Sequence, residues 1–371
     1  MKRIAAVAAA TLAAGSAWAG TLDRSNQDVS VLFEEGTHAR LAFGYIRPDV
    51  SGTDRDLGAG TASTGDVADN YLTGAFGYRQ QITDALSFGL IVDQPYGADI
   101  AYPFPANGGS ANLGGTQAIL NTASVAAYLR YEFANGFSVH GGLRSQKLDA
   151  RVRLGGVAYG GLNGYEVDLD GDSALGFQAG VAYERPDIAL RVALTYHSEI
   201  DHDLDAVEQI GAATFAGETE LTTPEALNLD FQTGVAEGTL VFGSIRYAKF
   251  SDVVLTPTTF GLQTGGLSLV NIDDALDVRL GVARRITDRF AGLASVTWSR
   301  GEDDNVSPLA PTNGALGVTL AGVFDVTDAV TLTTGLNYTR VRDAIATTQV
   351  AATDFEDNDA IGVGVQIGYS F

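Results

Sequence analysis

The final eleven residues, Ile361 to Phe371, constrain this chain most. Positions 361, 363, 365, 367, 369 and 371 are Ile, Val, Val, Ile, Tyr and Phe, and every position between them is Gly, Gln or Ser. A β-strand turns successive side chains to opposite faces, so the segment has one bulky apolar face and one small, polar face. A strand of this kind, closing on an aromatic residue, is the usual last strand of an outer-membrane β-barrel. A soluble sheet alternates in the same way, but it rarely leaves a Tyr-Ser-Phe end uncovered. The same rhythm recurs upstream: Val125, Ala127, Leu129, Tyr131 and Phe133 alternate with Ser124, Tyr128, Arg130 and Glu132.

The amino end reads as an export signal. Lys2 and Arg3 precede an apolar run from Ile4 to Ala14, and Ala17-Trp18-Ala19 supplies a small-x-small cleavage site. Residues 1–19 are therefore expected to be removed, leaving 371 − 19 = 352 residues from Gly20. Beyond Gly20 every apolar stretch is soon broken by Gly, Asp, Arg or Thr, so a membrane location requires a closed barrel, in which every backbone group is paired. The expected location is the bacterial outer membrane, with both termini on the periplasmic side. Contacts would be with outer-membrane lipid and lipopolysaccharide, and with the barrel-assembly machinery through the last strand. The chain has no cysteine, so no disulfide or thiolate metal site is available. A net charge of −22 excludes nucleic acid as a partner, because its phosphates would be repelled.

Six short turn signals, at 83–85, 134–136, 186–187, 237–238, 287–289 and 327–329, are rich in Asp, Asn, Gly or Pro. They join twelve strands in pairs, and one further strand at each end predicts fourteen. The fold class is thus all-β, a 14-stranded antiparallel transmembrane barrel over residues 39–371. The alternation assigns Ile188, Leu190, Val192, Leu194 and Tyr196 to lipid, with Arg191, Thr195 and His197 inside; it leaves the facing of 290–299 open. The spacers opposite the tight turns are longer and read as extracellular loops, at 51–70, 95–121, 149–172, 201–224, 254–274, 302–313 and 343–358. Residues 20–38 precede the first strand, and Leu22, Val29, Leu32 and Phe33 give them an apolar side. They read either as a short helical hatch inside the lumen or as a frayed terminus.

Three local motifs, in order, resemble the FadL-like family of outer-membrane transporters for long-chain fatty acids and aromatic hydrocarbons. They are Asp93-Gln94-Pro95-Tyr96-Gly97, the hairpin from Gly176 to Tyr183 and Leu190 to Ile200 ending in Tyr-His-Ser, and Thr223-Pro224-Glu225-Ala226. The resemblance implies a barrel plugged by an amino-terminal hatch. It further implies capture of a hydrophobic molecule among the outer loops, and lateral release through a gap at a kinked third strand. Long-chain fatty acids are the expected substrate; a general diffusion porin and an adhesive or structural barrel are the alternatives. One departure is that Phe33-Glu34-Glu35-Gly36 stands where the family commonly has Asn-Pro-Ala.

Asp93, Pro95, Tyr96 and Gly97 are the candidate lateral gate. Pro95 lacks an N–H for the ladder and either ends the strand or opens a slot in the wall. By local resemblance Arg153 falls near a carboxylate-binding position, where a guanidinium fork suits an acid group; pairing with loop acids is the rival reading. Phe104, Phe215 and Phe260 either line an apolar pocket or pack on one another. Asp168-Leu169-Asp170-Gly171-Asp172 has a calcium loop's carboxylate density but lacks the downstream Glu. The four histidines show no zinc-enzyme spacing. No cofactor, resident metal or catalytic activity is expected.

Overall fold

The computed structural model describes residues 22–56, 61–301 and 305–371. The export signal and Glu302-Asp303-Asp304 lie outside the described residues. Fourteen antiparallel strands close into a barrel: β1 (His38–Asp49), β2 (Tyr71–Gln81), β3 (Leu86–Asp93, resuming as Gly97–Ala101), β4 (Gln117–Glu132), β5 (Phe137–Leu154), β6 (Ser173–Arg185) and β7 (Leu190–His197), followed by β8 (Ala226–Ala236), β9 (Thr239–Ala248), β10 (Ala275–Thr287), β11 (Phe290–Ser299), β12 (Ala315–Asp325), β13 (Val330–Val341) and β14 (Asp359–Ser370). The barrel closes where β1 pairs with β14, from His38 opposite Ser370 to Asp49 opposite Asp359. The six tight turns fall at one end, which is also where the chain enters β1 and leaves β14. Among the described residues no helix is long and apolar enough to cross a membrane.

The odd-even reading of the faces holds. Val125, Leu129 and Tyr131 are about half exposed, whereas Ser124, Tyr128 and Arg130 are buried. On β14, Val363 and Tyr369 point out, at 44% and 43% exposure. Exposed aromatics ring the outside near the tight turns (Tyr131, Phe133, Phe137, Phe324, Tyr369) and again at Tyr45, Tyr247, Trp298 and Tyr338, as the two interfacial girdles of a membrane barrel require. The facing of β11, left open above, also resolves. Ala291 and Leu293 turn inward and pack with Leu240, Phe242, Ala283 and Val323. Both faces of that strand are therefore apolar near the turn, which erases the alternation.

The outer half departs from the sequence reading. β4 starts at Gln117 and β5 runs on to Leu154, well past the expected ends at Thr122 and Leu148. The spacers read as loops carry strands of their own. Residues Tyr165–Asp170, Ile200–Ile210 and Ala213–Thr223 extend the wall outward. A separate five-stranded sheet, built from 51–54, 63–66, 305–306, 344–347 and 352–355, caps the mouth. Asp54, buried beneath it, accepts hydrogen bonds from Ser110 Oγ (2.7 Å), Ala111 N–H (3.0 Å) and Thr353 Oγ1 (3.0 Å), tying three connections together. These segments look loop-like in sequence because their acids occupy the solvated face of a strand. Asp168 and Asp170 flank the buried Leu169 in this way, and Arg151 donates to Asp168.

Candidate functional site

The third strand breaks the wall. Asp93 pairs with Ser124 and Gly97 with Asn121 on β4. Four steps along β3 thus match three along its neighbour, which makes a one-residue bulge at 94–96. On its other edge β2 stays paired with β1 from Tyr71 to Arg79, but with β3 only from Phe76 to Gln81. The rungs between Tyr71–Ala75 and Asp93–Gly97 are missing. The wall re-forms beyond the break, where Asp69 N–H donates to Asp99 O (3.0 Å) and Ala101 N–H to Val67 O (2.8 Å). Pro95 fits the bulge because it brings no N–H that needs a ladder partner.

The amino-terminal segment covers the break from inside. Arg24 N–H donates to Pro95 O and Gly97 N–H to Leu22 O, both at 2.8 Å. Asp23 and Arg246 form a buried ion pair at 2.5 Å, and Ser25 Oγ donates to Asp93 at 2.6 Å. The Arg24 guanidinium pairs with Asp99 (2.6 Å) and lies over the Tyr71 ring at 4.3 Å. A Cβ at Gly97 would meet the Arg24 side chain at 2.2 Å; a glycine here admits the crossing side chain. Tyr96 points inward, accepting from Gln27 Nε2 (2.9 Å) and donating to Pro224 O (3.2 Å).

Farther along, the 3₁₀ turn Ser30–Phe33 is rooted in the lumen. Val29, Val31 and Leu32 pack against Ile91, Ala126 and Tyr128. Arg79 Nε (3.1 Å) and Arg130 Nη1 (3.2 Å) donate to Leu32 O, and Arg40 Nη1 to Ser30 Oγ (2.5 Å). Phe33 sits between the Arg130 and Arg191 guanidiniums, 4.5 and 4.9 Å from its ring centre. Beside it, burial pushes the Glu34 carboxyl up to about 7, although Arg191, Arg40 and Arg79 pull the other way.

Above this segment lies a cavity of about 850 Å³. Its outer end is lined by Phe260, Leu154, Leu269 and Leu309, its wall end by Leu22, Arg24, Tyr71 and Ala98. Phe260 belongs to the short helix Thr258–Thr264. Buried Glu208, on the strand Ile200–Ile210, holds that helix by accepting from the Thr259 and Phe260 N–H groups (2.7 Å each) and from Tyr165 Oη (2.9 Å). On the far side of the amino-terminal segment a second space, about 110 Å³, is lined by Arg40, Arg246, Arg279, Asp28, Asp93, Asp230 and Asp277. The first space has the volume for a small organic molecule; the second does not.

The structure thus brings Asp93, Pro95, Tyr96 and Gly97 together with Leu22 at one place, and sets Val29, Leu32 and Phe33 deeper in the lumen. Of the four candidate binding residues it places only Phe260 on the cavity. Arg153 and Phe104 meet elsewhere, the guanidinium 5.7 Å from the ring centre. Phe215 is exposed on the outer hairpin. Arg24, Arg246 and Glu208 carried no local sequence signal, because the partners named above lie 43 to 223 residues away.

The sequence profile described as "Outer membrane protein transport protein (OMPP1/FadL/TodX)" matches residues 29–371. A FadL homologue of Pseudomonas aeruginosa superposes with a TM-score of 0.74 at 15% identity, covering 98% of each chain. The Pseudomonas putida toluene transporter TodX gives 0.64 at 12% identity over 97% of each chain. The Ralstonia pickettii toluene transporter TbuX gives 0.60 at 13% identity over 96% of this chain and 97% of its own. No curated protein sequence matches.

Proposed function

The chain belongs to the outer membrane transport protein family (OMPP1/FadL/TodX), and from that premise we propose that it carries hydrophobic small molecules passively through the outer membrane and releases them sideways at the break in β3. The observation that carries this reading is the juxtaposition of a partly apolar cavity with missing ladder rungs. A molecule leaving water for the cavity and then for the bilayer moves down a gradient of roughly 25 cal/mol per Å² of apolar surface. The space beyond the amino-terminal segment, about 110 Å³, is too small to take such a molecule, so the wall is the favoured exit. Long-chain fatty acids and aromatic hydrocarbons both satisfy this argument. The segment seated in the lumen speaks against a general diffusion porin. The proposed orientation sets the tight turns and both termini in the periplasm.

Cysteines introduced at Thr73 and Pro95, which the register on either side of the break (Phe76 opposite Val92, Ala68 opposite Ile100) sets across from one another, can be oxidised to staple β2 to β3 over the missing rungs. In proteoliposomes, uptake of a labelled hydrophobic probe is expected to fall at least about tenfold while the variant keeps heat-resistant barrel migration. Uptake that survives in a variant whose wall is shown to be closed would eliminate the lateral route.

A further inference from the structure

We propose, resting on the uptake reading above, that the cavity admits uncharged apolar molecules and discriminates against those carrying a carboxylate. Five carboxylates line it, from Asp23, Asp69, Asp99, Asp273 and Asp274, against two guanidiniums, Arg24 and Arg300. Their formal sum is 2 − 5 = −3.

Both guanidiniums are already engaged. Arg24 is bound to Asp99 at 2.6 Å, and Arg300 Nη2 donates to the Asp274 carbonyl at 3.3 Å. Asp23 is neutralised by Arg246, outside the lining. Asp69 and Asp273 make no ion pair among the described residues and are exposed. Arg153, the cation that would suit an acid head group, is not on the cavity.

A carboxylate entering this space loses its water and meets surplus negative charge. An alcohol or hydrocarbon of the same length buries the same tail without that penalty. Because the surplus carboxylates are exposed, screening keeps the discrimination moderate.

The test compares lauryl alcohol with laurate, two ligands with one tail. Each displaces a neutral fluorescent naphthylamine from the protein in lipid nanodiscs, with empty nanodiscs subtracted. At pH 8 the alcohol is expected to bind about tenfold more tightly, the equivalent of about 1.4 kcal/mol. Near pH 4, where laurate takes up a proton, the difference should shrink. The pair Asp69→Asn and Asp273→Asn should raise laurate affinity more than alcohol affinity and so narrow the ratio, with heat-resistant barrel migration reporting an intact fold. Laurate binding as tightly as the alcohol at pH 8 would overturn the charge preference while leaving uptake standing. Binding of neither ligand would sink both readings.

Discussion

The two ends of the lumenal segment are held by different physics. The root, from Val29 to Gly36, is fixed by apolar packing and by guanidiniums from three strands that reach backbone or hydroxyl oxygens. The tip, from Leu22 to Gln27, makes ion pairs and backbone hydrogen bonds, chiefly to β3 where that strand lacks its neighbour. Packing resists displacement by any ligand. Paired backbone groups are exchangeable, since another donor, a water or a lipid glycerol can take their place. The tip is therefore expected to be the end that loss of a polar partner loosens, and the root the end that disturbed packing loosens.

The largest expected effect comes from splitting the tip's buried ion pair. Asp23→Asn leaves the Arg246 guanidinium buried without its anion, at a cost of about 3–5 kcal/mol. Hydrogen exchange at the Arg24 and Gly97 amides should accelerate by two orders of magnitude or more, with the Leu32 and Glu34 amides unchanged. The added Arg246→Met should recover part of the loss. Root and tip amides moving together would mean that the segment is one unit, and the contrast would be lost.

A smaller effect works in reverse. Gly89 on β3 makes room for the root, since a Cβ there would meet Leu32 Cδ2 at 2.1 Å. Gly89→Val overfills that contact and should cost about 1–3 kcal/mol. Exchange should rise at Leu32 and stay slow at Arg24. A tip that loosens first would contradict the assignment of Leu32 as the anchor.

The smallest effect is a pH dependence of root docking. Burial raises the Glu34 carboxyl from 4.5 to about 7 when the root is docked. The docked state therefore holds more proton than the undocked one between those values, so docking weakens as pH rises from about 4.5 to 7 and then levels off. Protection at the Glu34 amide, after correction for the intrinsic rise of exchange with pH, should fall across that window, and Glu34→Gln should flatten the profile. A wild-type profile with the opposite slope would show that the three nearby guanidiniums outweigh burial.

Facing and turn positions were legible along the chain because both signals are local. A side chain at i and one at i+2 share a face whatever the strand pairs with, and a tight turn declares itself by Asp, Asn, Gly or Pro. The failures have equally local causes. β11 lost its rhythm where Ala291 and Leu293 face an apolar patch of the lumen. The outer strands were read as loops because acids such as Asp168 and Asp170 share their segments with buried apolar residues. Pro95 was legible as a break, but whether it ended the strand or offset it rested on where Gly97 pairs again, opposite Asn121.

By itself the sequence determined a barrel wall: which residues face lipid, how many strands there are, and where the chain doubles back. Only the tertiary structure decided the site. Closing the barrel set Arg246 against Asp23, 223 residues away in sequence, put Glu208 at the start of Phe260's helix, and turned Arg153 away from the cavity. Alternation has a period of two residues and needs no partner, whereas a pocket is a meeting of distant segments, and where they meet is set by register and closure around the whole ring.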